Sequence, residues 1–227
     1  MRLEDLNWFD VESYLKQDNR LMLILGACEQ HGYLSLLSDT RIPLALADAA
    51  SQHTGVLVAP PLNFGSSAYF LDYPGTLSLR ISTLLNLTED LVNSAYQQGF
   101  RRFLFLNGHG GNDPAGALLS ELANKLPDTR FAWYAWWESH AVEAIAMKHG
   151  LKSYHAGWIE AFPFTRVSDL PGGEKIPILM HGVTNSKQFR QDIGDGVFGG
   201  PYHVDESISQ EIFHAALEDV IALLRFE

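Results

Sequence analysis

The chain has 227 residues, of which 46% are hydrophobic and 19% charged, a composition typical of a folded globular domain and not of a disordered chain. Its 16 basic and 27 acidic residues give a formal net charge of −11, which argues against nucleic-acid binding through a basic face and against an anionic membrane surface. The apolar runs are far shorter than the roughly 20 residues of a membrane span, and the single cysteine, Cys28, excludes an intrachain disulfide. We therefore expect a cytoplasmic protein with one domain over residues 1–227.

Short apolar runs alternate along the chain with longer segments of helical periodicity. The predicted strands cover 21–26, 55–59, 103–106 and 131–137, and the predicted helices cover 42–53, 84–95 with Gly99 as a stop signal, 113–126, about 139–148 and 205–226. The segment 153–201 is rich in glycine and proline and carries no assigned element. Because the strands are apolar on both faces, the pattern predicts an α/β fold with a mostly parallel central sheet flanked by helices.

Two polar clusters directly follow predicted strands, where ligand sites of parallel α/β folds lie. The first cluster is Gly26–Gly32, with Asp39 a short distance beyond it, and the second is Asn107–Asn112. The carboxylates and imidazoles in or near these clusters are Glu29, His31, Asp39 and His109. Such side chains are the usual ligands of Zn²⁺, Mn²⁺ or Fe²⁺, and a carboxylate such as that of Asp39 can bridge two ions.

The glycine-rich turn around His109 has two interpretations. Its small residues permit a sharp turn beside a metal or substrate, and Asn107 and Asn112 can fix the loop by hydrogen bonds to the backbone. Alternatively, Gly108–Gly111 could hold a phosphate at a helix N-terminus, as in a nucleotide- or sugar-phosphate-binding protein. The chain lacks the Lys-Ser/Thr pair of a P-loop and the spacing of a dinucleotide-binding fingerprint, so the metal interpretation is favoured.

Taken together, these motifs resemble those of the creatininase family, also called the creatinine amidohydrolase family. The matching segments, in the order of the family, are EQHG at 29–32 followed by Asp39, YPGTL at 73–77, NGHGGN at 107–112 and HAGWIE at 155–160. The resemblance spans Gly26 to Glu160 and leaves the last third of the chain unmatched.

The resemblance implies an α/β fold, a homo-oligomer, commonly a hexamer, and a centre of two divalent metal ions. Zn²⁺ is the first expectation, with Mn²⁺ and Fe²⁺ as alternatives. It implies hydrolysis of a non-peptide C–N bond, in an amide or cyclic amide of a small molecule, by a metal-activated water. The metal ligands carried over by motif are Glu29, His31, Asp39 as the bridge, His109 and Glu160. His155 is carried over as the catalytic residue that moves a proton near the leaving group or the attacking water.

The chain departs from the family pattern at three places. The run between the EQHG segment and the aspartate is one residue short, which we interpret as the loss of the family's second histidine. Trp158 replaces a glutamate, and Ala68-Tyr69 stands where a Glu-His pair is frequent. These departures keep open an alternative, a catalytically inactive relative that binds a metal or small molecule as a sensor or scaffold. The substrate, the metal and the roles of His181 and His203 are not determined by the sequence.

Four tryptophans have two interpretations as well. Trp133, Trp136, Trp137 and Trp158 could line a pocket for a flat ligand or pack in the core. A strand over 131–137 predicts that Trp133 and Trp137 face one side of the sheet and Trp136 the other.

Overall fold

A computed structural model describes residues 1–179 and 182–227 of the chain. Its strands are β1 (Arg20–Leu25), β2 (Leu57–Val58), β3 (Arg102–Asn107), β4 (Arg130–Ala135), β5 (Glu174–Lys175) and β6 (Gly200–Pro201). Its helices are α1 (Trp8–Leu15), α2 (Ser38–Thr54), α3 (Ile81–Gln98), α4 (Asp113–Lys125), α5 (His140–Lys148), α6 (Ser186–Ile193) and α7 (Glu206–Leu223). Single turns of 3₁₀ helix cover Leu3–Asp5, Ala68–Phe70, Gly110–Asn112, Trp136–Glu138 and Trp158–Glu160.

The central sheet is parallel, as the doubly apolar strands predict. In the part of the chain that the structure describes, it has four strands in the order β2-β1-β3-β4, and β5 and β6 form a small antiparallel pair apart from it. The register of β1 and β3 runs from Arg20 opposite Arg102 to Leu25 opposite Asn107, so the two strands end at the same level. The segments that follow them therefore begin side by side at one edge of the sheet.

Apolar layers cover both faces of the sheet. On one face, Met22, Ile24 and Leu104 pack under residues of α2, α5 and α7. On the other face, Phe103 and Phe105 pack under residues of α3 and α4, with α1 at the margin. Successive side chains of a strand point to opposite faces of the sheet, so they belong alternately to the two layers. Because both faces are packed, the positions of the strand ends are fixed. Among the described residues, no helix has both the length and the apolarity needed to span a bilayer.

Several elements differ from the sequence prediction. Helix α2 begins at Ser38 and not at residue 42, because its first turn is polar and the apolar periodicity starts only at Ile42. Helix α1, capped by Asn7, was not predicted, since eight residues carry too little periodicity. The unassigned segment 153–201 contains a 3₁₀ turn, β5, β6 and α6. The earlier start of α2 matters for function because it places Asp39 in the first helical turn.

The prediction that Trp133 and Trp137 share a face is wrong. Strand β4 ends at Ala135, and Trp137 lies in the 3₁₀ turn that follows, where the strand alternation no longer applies. Trp133 stacks on Phe105 in the layer under α4, whereas Trp136 and Trp137 both pack against the opposite layer.

Two glycines at the strand ends allow the first turn of α2 to approach the sheet. A Cβ atom on Gly26, after β1, would lie 2.1 Å from Thr40 Oγ1, and one on Gly108, after β3, would lie 1.7 Å from the backbone oxygen of Asp39. Both distances are far below van der Waals contact. The position of Asp39 therefore depends on the absence of side chains at these two strand ends.

The first prediction concerns this close approach. Gly108→Ala should lower the free energy of unfolding by about 1–3 kcal/mol or more, because the added methyl overlaps backbone that cannot move alone. Gly110→Ala is the matched control, since no described atom lies within 4 Å of its added Cβ. Urea denaturation of both variants measures the difference. Equal midpoints for the two variants would contradict the packing described here.

Candidate metal centre

Asp39 lies between two buried imidazoles. Its Oδ1 is 2.9 Å from Nε2 of His31, and its Oδ2 is 3.2 Å from Nδ1 of His109. His31 follows β1, His109 follows β3, and Asp39 stands in the first turn of α2, where the helix dipole favours a negative charge. One carboxylate thus contacts both strand-end motifs.

Two further carboxylates complete the cluster. Glu29 Oε2 lies 3.3 Å from Nδ1 of His109, and Glu160 Oε2 lies 3.7 Å from Nε2 of His31. Three overlapping groups have potential ligand atoms within 4.8 Å of one another: Glu29, Asp39 and His109; His31, Asp39 and Glu160; and Glu29, His31 and His155. The structure therefore brings the five predicted ligands together in one buried cluster, and Asp39 belongs to two of the three groups.

Backbone carbonyls orient both histidines. His31 Nδ1 is 3.3 Å from the backbone oxygen of Glu29, and His109 Nε2 is 2.9 Å from that of Ser66. A carbonyl only accepts hydrogen bonds, so each of these ring nitrogens carries a hydrogen and donates it. The other nitrogen of each ring then faces the carboxylates. This arrangement is the one in which histidines ordinarily present a lone pair to a metal.

The polar atoms of the cluster fit a cation. Among the described residues, both carboxylate oxygens of Glu29, Oδ2 of Asp39 and Nε2 of His31 are buried without a hydrogen-bond partner. Buried carboxylates are costly unless a positive charge or donors compensate them. Acceptors that converge without donors, at the distances given above, can be satisfied by a divalent ion.

The charges of the cluster explain how it shifts the pKa values of its histidines. Burial opposes a charge on His31, but Asp39 and Glu160 outweigh burial and hold the pKa of His31 well above its ordinary value. Burial likewise opposes a charge on His109, and Glu29 and Asp39 raise its pKa well above the ordinary range. The buried carboxylates are therefore stabilised by positive charge, which either imidazolium ions or bound cations can supply.

His155 borders the cluster in a different protonation environment. Its Nδ1 lies 3.8 Å from Glu29 Oε1, and its ring stacks on Phe70 at 4.8 Å between centroids. Burial and the neighbouring His31 both lower the pKa of His155, so its ring is neutral near pH 7. The sequence-predicted catalytic residue is thus close to the cluster and uncharged.

Gln30 determines which nitrogen of His155 carries the proton. The amide of Gln30 has a fixed orientation, because its Oε1 accepts the N–H of Gly32 at 3.0 Å and its Nε2 donates to the backbone oxygen of Gly196 at 3.0 Å. The second hydrogen of that Nε2 points to His155 Nε2, also at 3.0 Å. His155 Nε2 also lies 3.3 Å from the backbone oxygen of Gln30, and we assign the ring proton from the shorter contact, in which Nε2 accepts from the amide and Nδ1, facing Glu29, carries the proton. A protonated Nδ1 is unsuited to be a metal ligand.

The NGHGGN loop is fixed by its two asparagines, as the sequence predicts. Asn107 Oδ1 accepts the backbone N–H of His109 at 3.1 Å, and Asn112 Nδ2 donates to the backbone oxygen of Gly26 at 3.1 Å. The second bond joins this loop to the end of β1. The two motifs therefore support each other directly.

Two cavities open onto the cluster and share His109, Gly110 and His155. One, of about 240 Å³, exposes Asp39 and Glu160 and is lined by Trp137. The other, of about 530 Å³, exposes Glu29 and has aromatic walls that include Phe189 and Phe198. His109 and His155 line both cavities.

Other candidate residues have different places. Trp158 is buried in the core, where its indole N–H donates to the backbone oxygen of Lys152 at 2.8 Å. His203 is exposed and lines neither cavity, and His181 lies outside the described residues. Sequence reasoning missed Gln30 as a partner of His155, although it stands inside the EQHG motif. It also missed the aromatic residues of the larger cavity, for which the sequence holds no local signal.

The chain belongs to the creatininase family, since residues 4–224 match the family model described as creatinine amidohydrolase. It is 36% identical over 99 residues to a mycofactocin precursor peptide peptidase of Mycolicibacterium smegmatis, covering 40% of this chain and 40% of the relative. It is 28% identical over 102 residues to a 3-dehydro-scyllo-inosose hydrolase of Thermotoga maritima, covering 44% of this chain and 33% of the relative. The chain thus matches less than half the length of these curated relatives.

Solved structures show the same fold over nearly the whole chain. A crystal structure of creatinine amidohydrolase (creatininase) has a TM-score of 0.83 at 21% identity and covers 98% of this chain and 96% of its own. A creatininase described as Mn has a TM-score of 0.81 at 23% identity, covering 99% and 97%. A mutant creatininase described as Zn-Zn type has a TM-score of 0.83 at 21% identity, covering 99% and 96%. The predicted fold class is confirmed by these neighbours.

The second prediction concerns metal binding by the cluster. Saturating Zn²⁺ or Mn²⁺ should raise the Tm of the metal-depleted protein by about 5–10 °C, the shift expected at roughly 100 times the Kd. Asp39→Asn should abolish most of this shift, because it removes the charge that two of the three ligand groups share. Asp90→Asn, on the exposed face of α3, is the control and should keep the full shift. An unchanged metal-dependent shift in Asp39→Asn would exclude this cluster as the site.

Proposed function

We propose that this protein is a metal-dependent amidohydrolase that cleaves a non-peptide C–N bond, in an amide or cyclic amide of a small molecule, with water. The observation that carries the proposal is the buried cluster in which Asp39 contacts two histidines and belongs to two potential ligand groups. The family description, creatinine amidohydrolase, and the relative named a peptidase support amide hydrolysis. The neighbours described as Mn and Zn-Zn forms support a metal centre.

The proposed ligands divide between two ions. Glu29, Asp39 and His109 would hold one ion, and His31, Asp39 and Glu160 would hold the other. Zn²⁺ is the first candidate, and Mn²⁺ or Fe²⁺ suits the same ligands. Bound ions of this kind lower the pKa of water towards neutral and polarise the substrate carbonyl.

The protein backbone contributes to this arrangement at Ala156. Its N–H donates to Oε2 of Glu160 at 2.5 Å, and its φ of +58° is in the left-handed region that residues other than glycine rarely adopt. This conformation directs the N–H at the carboxylate, which keeps Glu160 facing His31. The HAGWIE segment thus supplies both a proposed ligand and the donor that orients it.

His155 supplies the proton transfer. When the C–N bond breaks, the carbonyl carbon gains the oxygen of water and the leaving nitrogen must gain a proton. The neutral ring of His155 would take a proton from the attacking water, and the resulting imidazolium would give a proton to the leaving nitrogen through Nδ1, which faces the cluster, while Gln30 orients the ring through Nε2. The ring is neutral again once the nitrogen has left, so the protons balance.

The third prediction tests His155. His155→Ala should keep its metal content but lose about 10²–10⁴-fold in kcat on any amide or cyclic amide that the wild type hydrolyses. His140→Ala, an exposed residue of α5, is the control and should keep full activity. Metal analysis of the purified proteins and product assays measure both properties. Normal kcat in His155→Ala would rule out the proton-transfer role, and a metal-loaded wild type inactive on the whole panel would favour the sensor or scaffold alternative.

The fourth prediction tests Gln30 as the positioning residue. Gln30→Glu replaces a donor by an acceptor, so the ring proton of His155 should shift to Nε2. We expect kcat to fall at least about tenfold with KM and metal content unchanged, since Gln30 is not a proposed ligand and lines neither cavity. The ¹⁵N chemical shifts of the His155 ring report the tautomer independently of activity. A fall in kcat without a tautomer shift would show a general loss of structure.

The assembly and location of the protein stay predictions. We infer a homo-oligomer, with a hexamer as the expected state, in the cytoplasm. Light scattering of the purified protein tests the oligomeric state directly.

A further inference from the structure

The larger cavity has a floor and walls of contrasting chemistry. Its floor is formed by Glu29, His109 and His155, which belong to or border the proposed centre. Its walls include Phe70, Phe189, Phe198, Tyr69, Ile81 and Ala68. A molecule in this cavity would therefore present one end to the proposed centre and pack the rest mainly against apolar groups, with Ser66 and Ser67 as the polar exceptions in the wall.

The aromatic walls form one packed unit. Phe70 meets Phe189 edge to face, at 5.3 Å between centroids, and Phe198 lies 5.8 Å from Phe189. Tyr69 lies 5.4 Å from Phe189 on the exposed side. Aromatic walls held in this way have a fixed shape, and they favour apolar or aromatic groups over polar ones.

The walls offer nothing to an ionic group. Among the described residues that line the cavity, the only carboxylate is Glu29, and none is a lysine or arginine. A charged substituent would lose water without gaining an ion pair, which is costly. The cavity therefore selects against a charge on the part of the molecule that enters it.

The cavity has room for a group larger than a very small substrate. Its volume of about 530 Å³ falls in the range of roughly 300–1,000 Å³ that accommodates drug-sized ligands. The smaller cavity, of about 240 Å³, opens onto the cluster at Asp39 and Glu160. A substrate whose scissile bond lies at the cluster can therefore extend into both cavities.

We propose that the larger cavity is a specificity pocket for an uncharged aromatic side group on the substrate, next to its scissile amide bond. This inference rests on the proposed function, because the pocket would select substrates for the reaction proposed at its floor. Its selectivity, however, depends on the walls and can be measured as binding without turnover.

The experiment uses three matched probes with the protein as purified. They are the amides of N-acetylphenylalanine, N-acetylalanine and N-acetyllysine, which differ only in the side group. Ligand-observed NMR measures their affinities, and new product signals report hydrolysis in the same samples. We expect the phenylalanine probe to bind about tenfold more tightly or better than either of the others, the gain expected for burying one aromatic ring. Equal affinities for the three probes would overturn the proposal.

Filling the pocket gives a first variant. Ala68 is exposed and lines the cavity, so Ala68→Phe adds a ring inside it without disturbing the core. This variant should lose the preference for the phenylalanine probe, about tenfold in affinity, and bind the alanine probe as the wild type does. Ala144→Phe, on the exposed face of α5, adds the same side chain away from the pocket and should change nothing.

A second variant places a negative charge in the apolar wall. Ile81 is half exposed at the first position of α3, where a carboxylate is favoured by the helix dipole. Ile81→Glu should therefore fold normally, weaken the phenylalanine probe and strengthen the lysine probe. Ile81→Gln has nearly the same shape without the charge and should not strengthen the lysine probe. If neither Ala68→Phe nor Ile81→Glu alters the order of affinities, this cavity is not the specificity pocket.

The outcomes separate this inference from the proposed function. The expected preference without product signals would support the pocket and count against amide hydrolysis of these probes. Product signals at equal rates for all three side groups would support hydrolysis and overturn the pocket.

Discussion

The contact of Asp39 with two histidines is the interaction on which the architecture of the site depends. Its carboxylate reaches both rings because the first turn of α2 lies against the ends of β1 and β3. That approach requires glycine at both strand ends, and it requires the two strands to end at the same level. The motif glycines and the sheet register are therefore parts of one constraint, which is the placement of a single carboxylate between two rings.

The cluster is built so that its polar atoms converge instead of satisfying one another. The outer nitrogens of His31 and His109 donate to backbone carbonyls, and the inner nitrogens face three carboxylates. A structural network would pair these groups through donors, whereas both oxygens of Glu29 are buried without a donor among the described residues. The free energy lost in burying such acceptors is recovered only when positive charge is supplied, and this makes the cluster a natural receptor for cations.

His155 and Gln30 show a different use of hydrogen bonds. Here the amide of Gln30 is fully paired, and it orients a neutral ring whose Nδ1 faces Glu29 at 3.8 Å. Burial and the nearby His31 both disfavour a charge on this ring. A group that holds one proton in a fixed direction is suited to transfer it, which is a different task from that of the convergent acceptors beside it.

Much of the fold and part of the site could be predicted from the sequence alone. The doubly apolar strands predicted the parallel sheet, and the position of the polar motifs after strands predicted that Glu29, His31, Asp39 and His109 would meet. The place of Glu160 came only from the family resemblance, because its segment shows no periodicity. The 3₁₀ turn at Trp137 and the aromatic cavity, part of which comes from the segment 153–201, depend on tertiary packing. Local sequence patterns do not encode such packing.

The departures from the family pattern fall on the surroundings of the cluster. The shortened loop after His31 does not displace Asp39, because Asp39 is held by α2 and not by the loop. Trp158 packs in the core and touches neither cavity. Ala68 and Tyr69, in contrast, both line the larger cavity, where a more frequent Glu-His pair would have made it polar. The cluster thus stays assembled, and the departures at residues 68 and 69 fall on the wall that the proposed specificity pocket uses.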